Sequence, residues 1–247
     1  MPVADPPGAI ETYAEAVRRV VRDALAEDVG TGDATTLATV PADVHARAVV
    51  RVKQSGVLAG LDVFAAVFAH LDPAVHVGAL VADGARVADV PAIVAEVEGP
   101  ARALLTGERT ALNLLQRLSG VATATAELVA LVEGTGARIL DTRKTQPGLR
   151  LLEKRAVLLG GGTNHRVGLY DAVLIKDNHI AIAGGIREAL ELARRGAPGL
   201  PLEVEVRTLD ELEQALAAHV ERVLLDNMGL PDLRASVALV AGRCLTE

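Results

Sequence analysis

From Glu11 to Glu27, Ala14, Val17, Val21, Ala24 and Leu25 recur at helical spacing while Arg18, Arg19, Arg22 and Asp23 fall elsewhere, which predicts an amphipathic helix closed at Asp28-Val29-Gly30. Gly30 to Thr36 has the glycine, aspartate and threonine chemistry of an ordered loop. His45 to Val52 then alternates, Ala46, Ala48, Val50 and Val52 against His45, Arg47, Val49 and Arg51, the pattern of a half-buried strand. A helix over Leu61–His70 and strands near Val75–Val81 and Ala92–Val97, punctuated at Asp72-Pro73, Asp83-Gly84 and Gly99-Pro100, suggest a small α+β unit. Ala101 to Glu133 is a long helical stretch built on Leu104, Leu105, Ala111, Leu114, Leu115 and Leu118, with an interruption expected at Ser119-Gly120. The domain transition is placed there, giving domains 1–118 and 119–247.

Beyond Gly136 the rhythm changes to short apolar strands followed by helical segments: Ala137–Leu140, Ala172–Ile175, Leu202–Val206 and Arg222–Leu225. Their starts are 35, 30 and 20 residues apart, close to the spacing of βα units. Charged residues close each strand. Asp141 through Lys144 follow the first, Lys176 the second, Glu205 sits near the end of the third, and Asp226 follows the fourth. In a parallel β/α barrel the C-terminal strand ends form the active-site face, so these residues are expected to converge.

Composition narrows the chemistry. Half of the 247 residues are hydrophobic but only 2% are aromatic, so the core is Ala, Val and Leu, and a stacking platform for single-stranded nucleic acid lacks its rings. A net charge of −7 argues against a nonspecific polyanion binder. The single Cys244 excludes an internal disulfide and a cysteine-rich metal site. No apolar run approaches the roughly 18 to 20 residues of a spanning helix, and Met1–Gly30 shows no basic segment followed by an apolar one, so a cytoplasmic protein with neither membrane nor nucleic-acid partners is expected.

The charge is unevenly spread. Between Arg138 and Lys176 stand eight lysines and arginines against three acids, a local +5 that leaves −12 on the rest of the chain. Lys154 and Arg155 read equally well as a solvated helix face. Arg143, Lys144 and Lys176, placed directly after apolar strands, suit a substrate carrying several phosphates or carboxylates. Glu205 and Asp226 read either as ion-pair partners or as hard oxygen ligands for Mg²⁺, which takes one or two carboxylates and completes its shell with water and phosphate. Gly160-Gly161-Gly162-Thr163-Asn164-His165-Arg166 reads as a flexible turn or a close-approach anion loop, and His165 as a general base or an orienting group. His179, in Lys176-Asp177-Asn178-His179, fits a helix-capping turn, and Lys176 also permits a Schiff-base reading.

Glu108-Arg109-Thr110-Ala111-Leu112-Asn113, Asp141-Thr142-Arg143-Lys144-Thr145, Gly160 to Arg166, Ile175-Lys176-Asp177-Asn178-His179, Glu203-Val204-Glu205-Val206 and Leu225-Asp226-Asn227 together resemble quinolinate phosphoribosyltransferase, also called nicotinate-nucleotide pyrophosphorylase (carboxylating). Glu27-Asp28-Val29-Gly30 with Gly32-Asp33 is similar to that family's N-terminal segment. The resemblance implies conversion of quinolinate and phosphoribosyl pyrophosphate into nicotinate mononucleotide, pyrophosphate and carbon dioxide, a step of de novo NAD synthesis. It implies an α/β fold, an N-terminal α/β sandwich joined to an open, incomplete β/α barrel, working as a homodimer or higher homo-oligomer. Position by position, Arg109, Arg143, His165, Arg166 and Lys176 match residues around the quinolinate carboxylates. Thr142 and Lys144 match the substrate-binding segment after the strand, Glu205 and Asp226 the acids at the ribose and its Mg²⁺. The catalytic set it implies is Lys144, Glu205 and Asp226.

The family pattern continues past Thr246-Glu247 into a Ser-Gly-Gly segment and a last strand with a further glycine loop. The resemblance therefore implies a barrel whose final one or two βα units, roughly 30 to 60 residues and including the ribose 5-phosphate loops, lie outside this sequence. Two other readings stay open: a shortened chain that binds dicarboxylate or only dimerises, and a phosphoribosyltransferase-like relative acting on another pyridine or linked to molybdate transport.

Overall fold

A computed structural model describes residues 10–247. The first residues of domain 1–118 and of the expected leader-free stretch, residues 1–9, lie outside the described residues. The chain divides into two units, Met1–His165 and Arg166–Glu247.

In the first unit, α1 (Tyr13–Val29) starts where Thr12 and Glu15 cap each other reciprocally, the Thr12 amide donating to Glu15 Oε2 at 2.8 Å. It buries Ala16, Val17, Val20, Val21 and Leu25. The expected loop at Gly30–Thr36 instead turns into a short helix, α2 (Ala34–Thr39), because the Asp33 carboxylate accepts the Thr36 amide at 2.9 Å and caps it. Then follow β1 (His45–Val52), β2 (Gly56–Val57), α3 (Leu61–Leu71), β3 (His76–Ala79), β4 (Arg86–Val87), β5 (Ala92–Pro100), α4 (Ala101–Leu131) and α5 (Arg150–Leu159). β1, β5 and β3 form an antiparallel sheet in that order, and β2 pairs with β4. Phe64 and Phe68 on α3 meet edge to face, 5.1 Å between centroids, within an otherwise aliphatic core.

Three expectations fail here for physical reasons. α4 runs unbroken through Ser119-Gly120, so the interruption expected there is absent and the helix spans the residue 118/119 position. Tertiary hydrogen bonds hold it: the Ser119 hydroxyl accepts the Ala59 amide at 3.0 Å and Thr123, one turn on, accepts the Val57 amide at 2.9 Å. Ala137–Leu140 makes no strand beyond an isolated parallel bridge from Leu140 to Thr163. β1 is a sheet edge, and of its apolar face only Val50 is buried. Ala46 and Ala48 line an open groove of about 1180 Å³ with Leu104, Leu105 and Leu112 of α4.

The second unit alternates strand and helix: β6 (Val173–Ile175), α6 (Asp177–Ala183), α7 (Ile186–Gly196), β7 (Leu202–Val206), α8 (Leu209–Ala217), β8 (Arg222–Leu225), α9 (Leu230–Val240) and β9 (Leu245–Thr246). The strands are parallel in sequential order, β6-β7-β8-β9, as the βα spacing predicts. Val204, Val206, Val223, Leu190 and Leu212 fill the core of this unit. Among the described residues no helix is long and apolar enough to cross a membrane.

Candidate active site

The second unit gathers charge at the C-terminal ends of its strands. Period two along β7 puts Leu202, Val204 and Val206 on one face and Glu203, Glu205 and Arg207 on the other. Glu205, only 8% exposed, receives Lys176 Nζ at 3.2 Å and Arg207 Nη2 at 3.2 Å. Arg207 also reaches Asp226 Oδ2 through Nε at 3.3 Å and Asp177 Oδ2 through Nη1 at 3.0 Å. Asp226 follows β8, where its amide donates to the Val206 carbonyl at 2.9 Å, so the backbone itself fixes the spacing of the two carboxylates. The structure thus brings Lys176, Glu205 and Asp226 together. The Asn178 amide holds the Asp177 carboxyl below the usual range, with Arg207 adding to the effect against burial, and the bond to Asp226 raises Arg207 further.

Lys176 ends β6 and enters α6, whose first turn is closed by His179: its Nδ1 accepts the Lys176 amide at 3.0 Å. This is the capping role expected of that histidine. Arg166 opens the unit, Nη1 donating to the Ala172 carbonyl at 3.2 Å, in a loop that the Asp171 carboxylate ties through the Val167 and Gly168 amides at 2.6 and 2.9 Å.

In the first unit, the segment after Leu140 carries Thr142, Arg143 and Lys144. The Thr142 hydroxyl accepts the Lys144 amide at 3.0 Å, turning the chain so that Lys144 is exposed while Arg143 is half-buried. Nε of Arg143 is buried with no hydrogen-bond partner among the described residues, an orphaned donor of the kind an anionic ligand satisfies. The backbone amide of His165 donates to Asp141 Oδ1 at 2.8 Å. Arg109 stands exposed on α4.

Two readings change. Lys154 does not belong to a solvated face: it is 2% exposed and paired with Asp141. In the glycine run, Gly160 and Gly162 answer to packing, since a Cβ on Gly160 would lie 2.4 Å from the Ala122 carbonyl oxygen and one on Gly162 2.8 Å from Thr125 Cγ2. Sequence reasoning also missed Arg207, although the period-two alternation places it on the face of Glu205. For Lys154 the sequence carries no comparable signal, because its burial depends on segments distant in sequence.

Residues 33–119 match the family model described as Quinolinate phosphoribosyl transferase, N-terminal domain, and residues 121–246 match its C-terminal domain. The chain is 48% identical over 219 residues to the nicotinate-nucleotide pyrophosphorylase [carboxylating] of Mycobacterium leprae, covering 86% of this chain and 76% of that protein. Among solved structures it is similar to the nicotinate-nucleotide pyrophosphorylase of Francisella tularensis (TM-score 0.91, 42% identity, 96% of this chain and 83% of that one). It is likewise similar to NadC from Streptococcus pyogenes (TM-score 0.90, 41% identity, 96% and 84%).

Proposed function

The chain belongs to the quinolinate phosphoribosyltransferase family and is an enzyme of NAD biosynthesis, and from that premise we propose how its residues divide the reaction. The single observation that carries the assignment of roles is the meeting of Lys176, Glu205, Arg207 and Asp226 at the ends of parallel strands.

Arg143, His165, Arg166 and Lys176 are the groups proposed to bind the quinolinate carboxylates. The guanidinium offers a forked pair of donors, and the buried Nε of Arg143 supports an incoming carboxylate. Arg109 adds a cation from α4, and Thr142 shapes the turn that presents Lys144. Pyrophosphate departs from ribose C1 of phosphoribosyl pyrophosphate with its bonding electron pair. Lys144 neutralises charge growing on that leaving group, while Glu205 and Asp226 face the positive charge growing on the sugar. The pyridine nitrogen donates its lone pair to C1. The ring is then cationic, so the carboxylate adjacent to nitrogen leaves as carbon dioxide, its electron pair is held by the ring, and that carbon takes a proton. No covalent enzyme intermediate is required, and the protein's contribution is positioning and charge.

The donor set fits Mg²⁺. Glu205 and Asp226 are hard oxygen ligands that already converge on one cation, the guanidinium of Arg207. When bound there, Mg²⁺ would supply charge neutralisation for phosphate oxygens.

We further propose that the sequential parallel sheet belongs to an open β/α barrel, and that the first unit is the sandwich domain joined to it. A homodimer or larger homo-oligomer is the proposed assembly, supported by the apolar groove between β1 and α4, the helix that carries Arg109. The proposed compartment is the cytoplasm, consistent with the single cysteine. Purified protein given quinolinate, phosphoribosyl pyrophosphate and Mg²⁺ is expected to release pyrophosphate and form nicotinate mononucleotide. Retained quinolinate binding without release would leave a non-catalytic dicarboxylate binder.

A further inference from the structure

α5 turns polar side chains inward. Lys154, at 2% exposure, directs its ammonium onto Asp141 Oδ1 and, at 3.0 Å, onto the carbonyl of His165. Asp141 Oδ1 also accepts the His165 amide at 2.8 Å. The Asn164 amide, oriented with its nitrogen toward Asp141, donates to Oδ2 at 2.8 Å and to the Lys154 carbonyl at 3.0 Å. Two segments far apart in sequence are thereby locked to one another. Backbone bonds between them are few: the Thr163 amide to the Ile139 carbonyl at 2.8 Å, and the Asp141 amide to the Thr163 carbonyl at 3.1 Å. Where a full strand pair would have a ladder, this pair has one bridge and a buried ion pair.

Stability alone is a weak reason for such a pair. Removing two charges from water costs several kcal/mol per ion, and well-packed apolar residues of similar volume often serve as well or better. What apolar residues cannot do is fix the direction of a carboxylate that itself holds a backbone amide. The ends of the two locked segments carry Thr142, Arg143 and Lys144 on one side and His165 on the other. Neighbouring side chains of α5 act on the same segment: Glu153 Oε2 accepts the Gln146 amide at 3.1 Å, and Arg150 Nε donates to the Thr145 hydroxyl at 3.1 Å.

We propose that Lys154 is a positioning residue for quinolinate: through Asp141 it sets the placement of Arg143 and His165 without touching substrate. The inference rests on the assignment of Arg143 and His165 to the quinolinate carboxylates. It separates binding from folding, because a misplaced carboxylate fork weakens affinity in molecules that remain folded.

The test compares wild type, Lys154→Met, Asp141→Asn and Arg143→Ala by titration calorimetry with quinolinate, together with amide hydrogen exchange. Lys154→Met is expected to raise the quinolinate Kd by about tenfold or more at unchanged stoichiometry, the loss that follows when one hydrogen bond to a charged carboxylate is no longer well placed. Exchange should quicken in both segments, around residues 141–146 and 163–165, and not in α4. A merely structural role would lower the stoichiometry and leave Kd unchanged, and that result overturns the proposal. Should Lys154→Met not fold, the isosteric Asp141→Asn gives the same two readouts, and they support or overturn the proposal in the same way. If wild type binds no quinolinate, or Arg143→Ala binds as wild type does, the underlying assignment fails instead, and hydrogen exchange alone then decides whether Lys154 orders the two segments.

Discussion

Replacing Arg143 by alanine separates ligand recognition from folding. Nε of Arg143 is buried and has no partner among the described residues, so truncation strips no bond from that atom. The expected loss in folding stability is therefore about 1 kcal/mol or less, the lost packing of a half-buried stem with no hydrogen bond broken at Nε. The loss in binding is larger. A hydrogen bond to a charged group contributes about 1.5–3 kcal/mol, and a guanidinium fork makes two to one carboxylate, so about 3 kcal/mol is a lower estimate. At about 1.4 kcal/mol per factor of ten, the quinolinate Kd should rise by about 100-fold or more. Arg143→Lys keeps the charge and loses the fork, so its Kd should fall between the two. Calorimetric titration gives Kd, and thermal melts of the same samples give stability. A Kd within about threefold of wild type, with the melt unchanged, would remove Arg143 from the substrate site; the factor of three is the usual context scatter of about 0.6 kcal/mol.

Gly160→Ala would set a Cβ 2.4 Å from the Ala122 carbonyl oxygen and 2.8 Å from Thr125 Cβ, so thermal melts should show a destabilisation of about 1–3 kcal/mol. An unchanged melting temperature would contradict that packing. Burial raises the Asp83 carboxyl above its usual value, against the bonds it accepts from the Leu61 and Gly60 amides, so the folded state favours its proton. Its cost is absent at low pH and appears as pH rises through the raised value; Asp83→Asn should therefore gain stability relative to wild type between about pH 3 and 7, and parallel curves would refute the sign. Arg207→Gln removes the cation that bridges Glu205 and Asp226, so Mg²⁺ should bind more tightly by calorimetry; weaker binding would separate these acids from the metal. Leu105→Glu places a charge in the groove beside β1 and should shift sedimentation toward the monomer, while an unaltered assembly would place the interface elsewhere.

Much of the site is legible in the chain because local rules govern it. Apolar runs spaced like βα units name the parallel strands, and a charged residue at the end of each lands where parallel strands end together. Lys176, Glu205 and Asp226 meet for that reason. His179 caps α6 because its side chain lies within reach of an amide three residues back. Composition and period speak for such neighbours without knowledge of the rest.

Contacts between distant segments obey no local period. Ser119-Gly120 looks like a break, yet the hydroxyls of Ser119 and Thr123 find the amides of Ala59 and Val57, and the helix continues. Three glycines in a row look like a loop for an anion, yet two of them are small because α4 lies against them. Lys154 reads equally well as a solvated lysine or a site cation until Asp141 and the His165 carbonyl enclose its ammonium. The sequence by itself determined the parallel strands and the charges at their ends, through periodicities that act within a few residues, while the resemblance of its motif strings implied the family. Tertiary structure alone decided which charges are buried, which glycines are steric and which segments are locked together. Desolvation and close packing are properties of the surroundings, and a residue acquires them only when the chain folds around it.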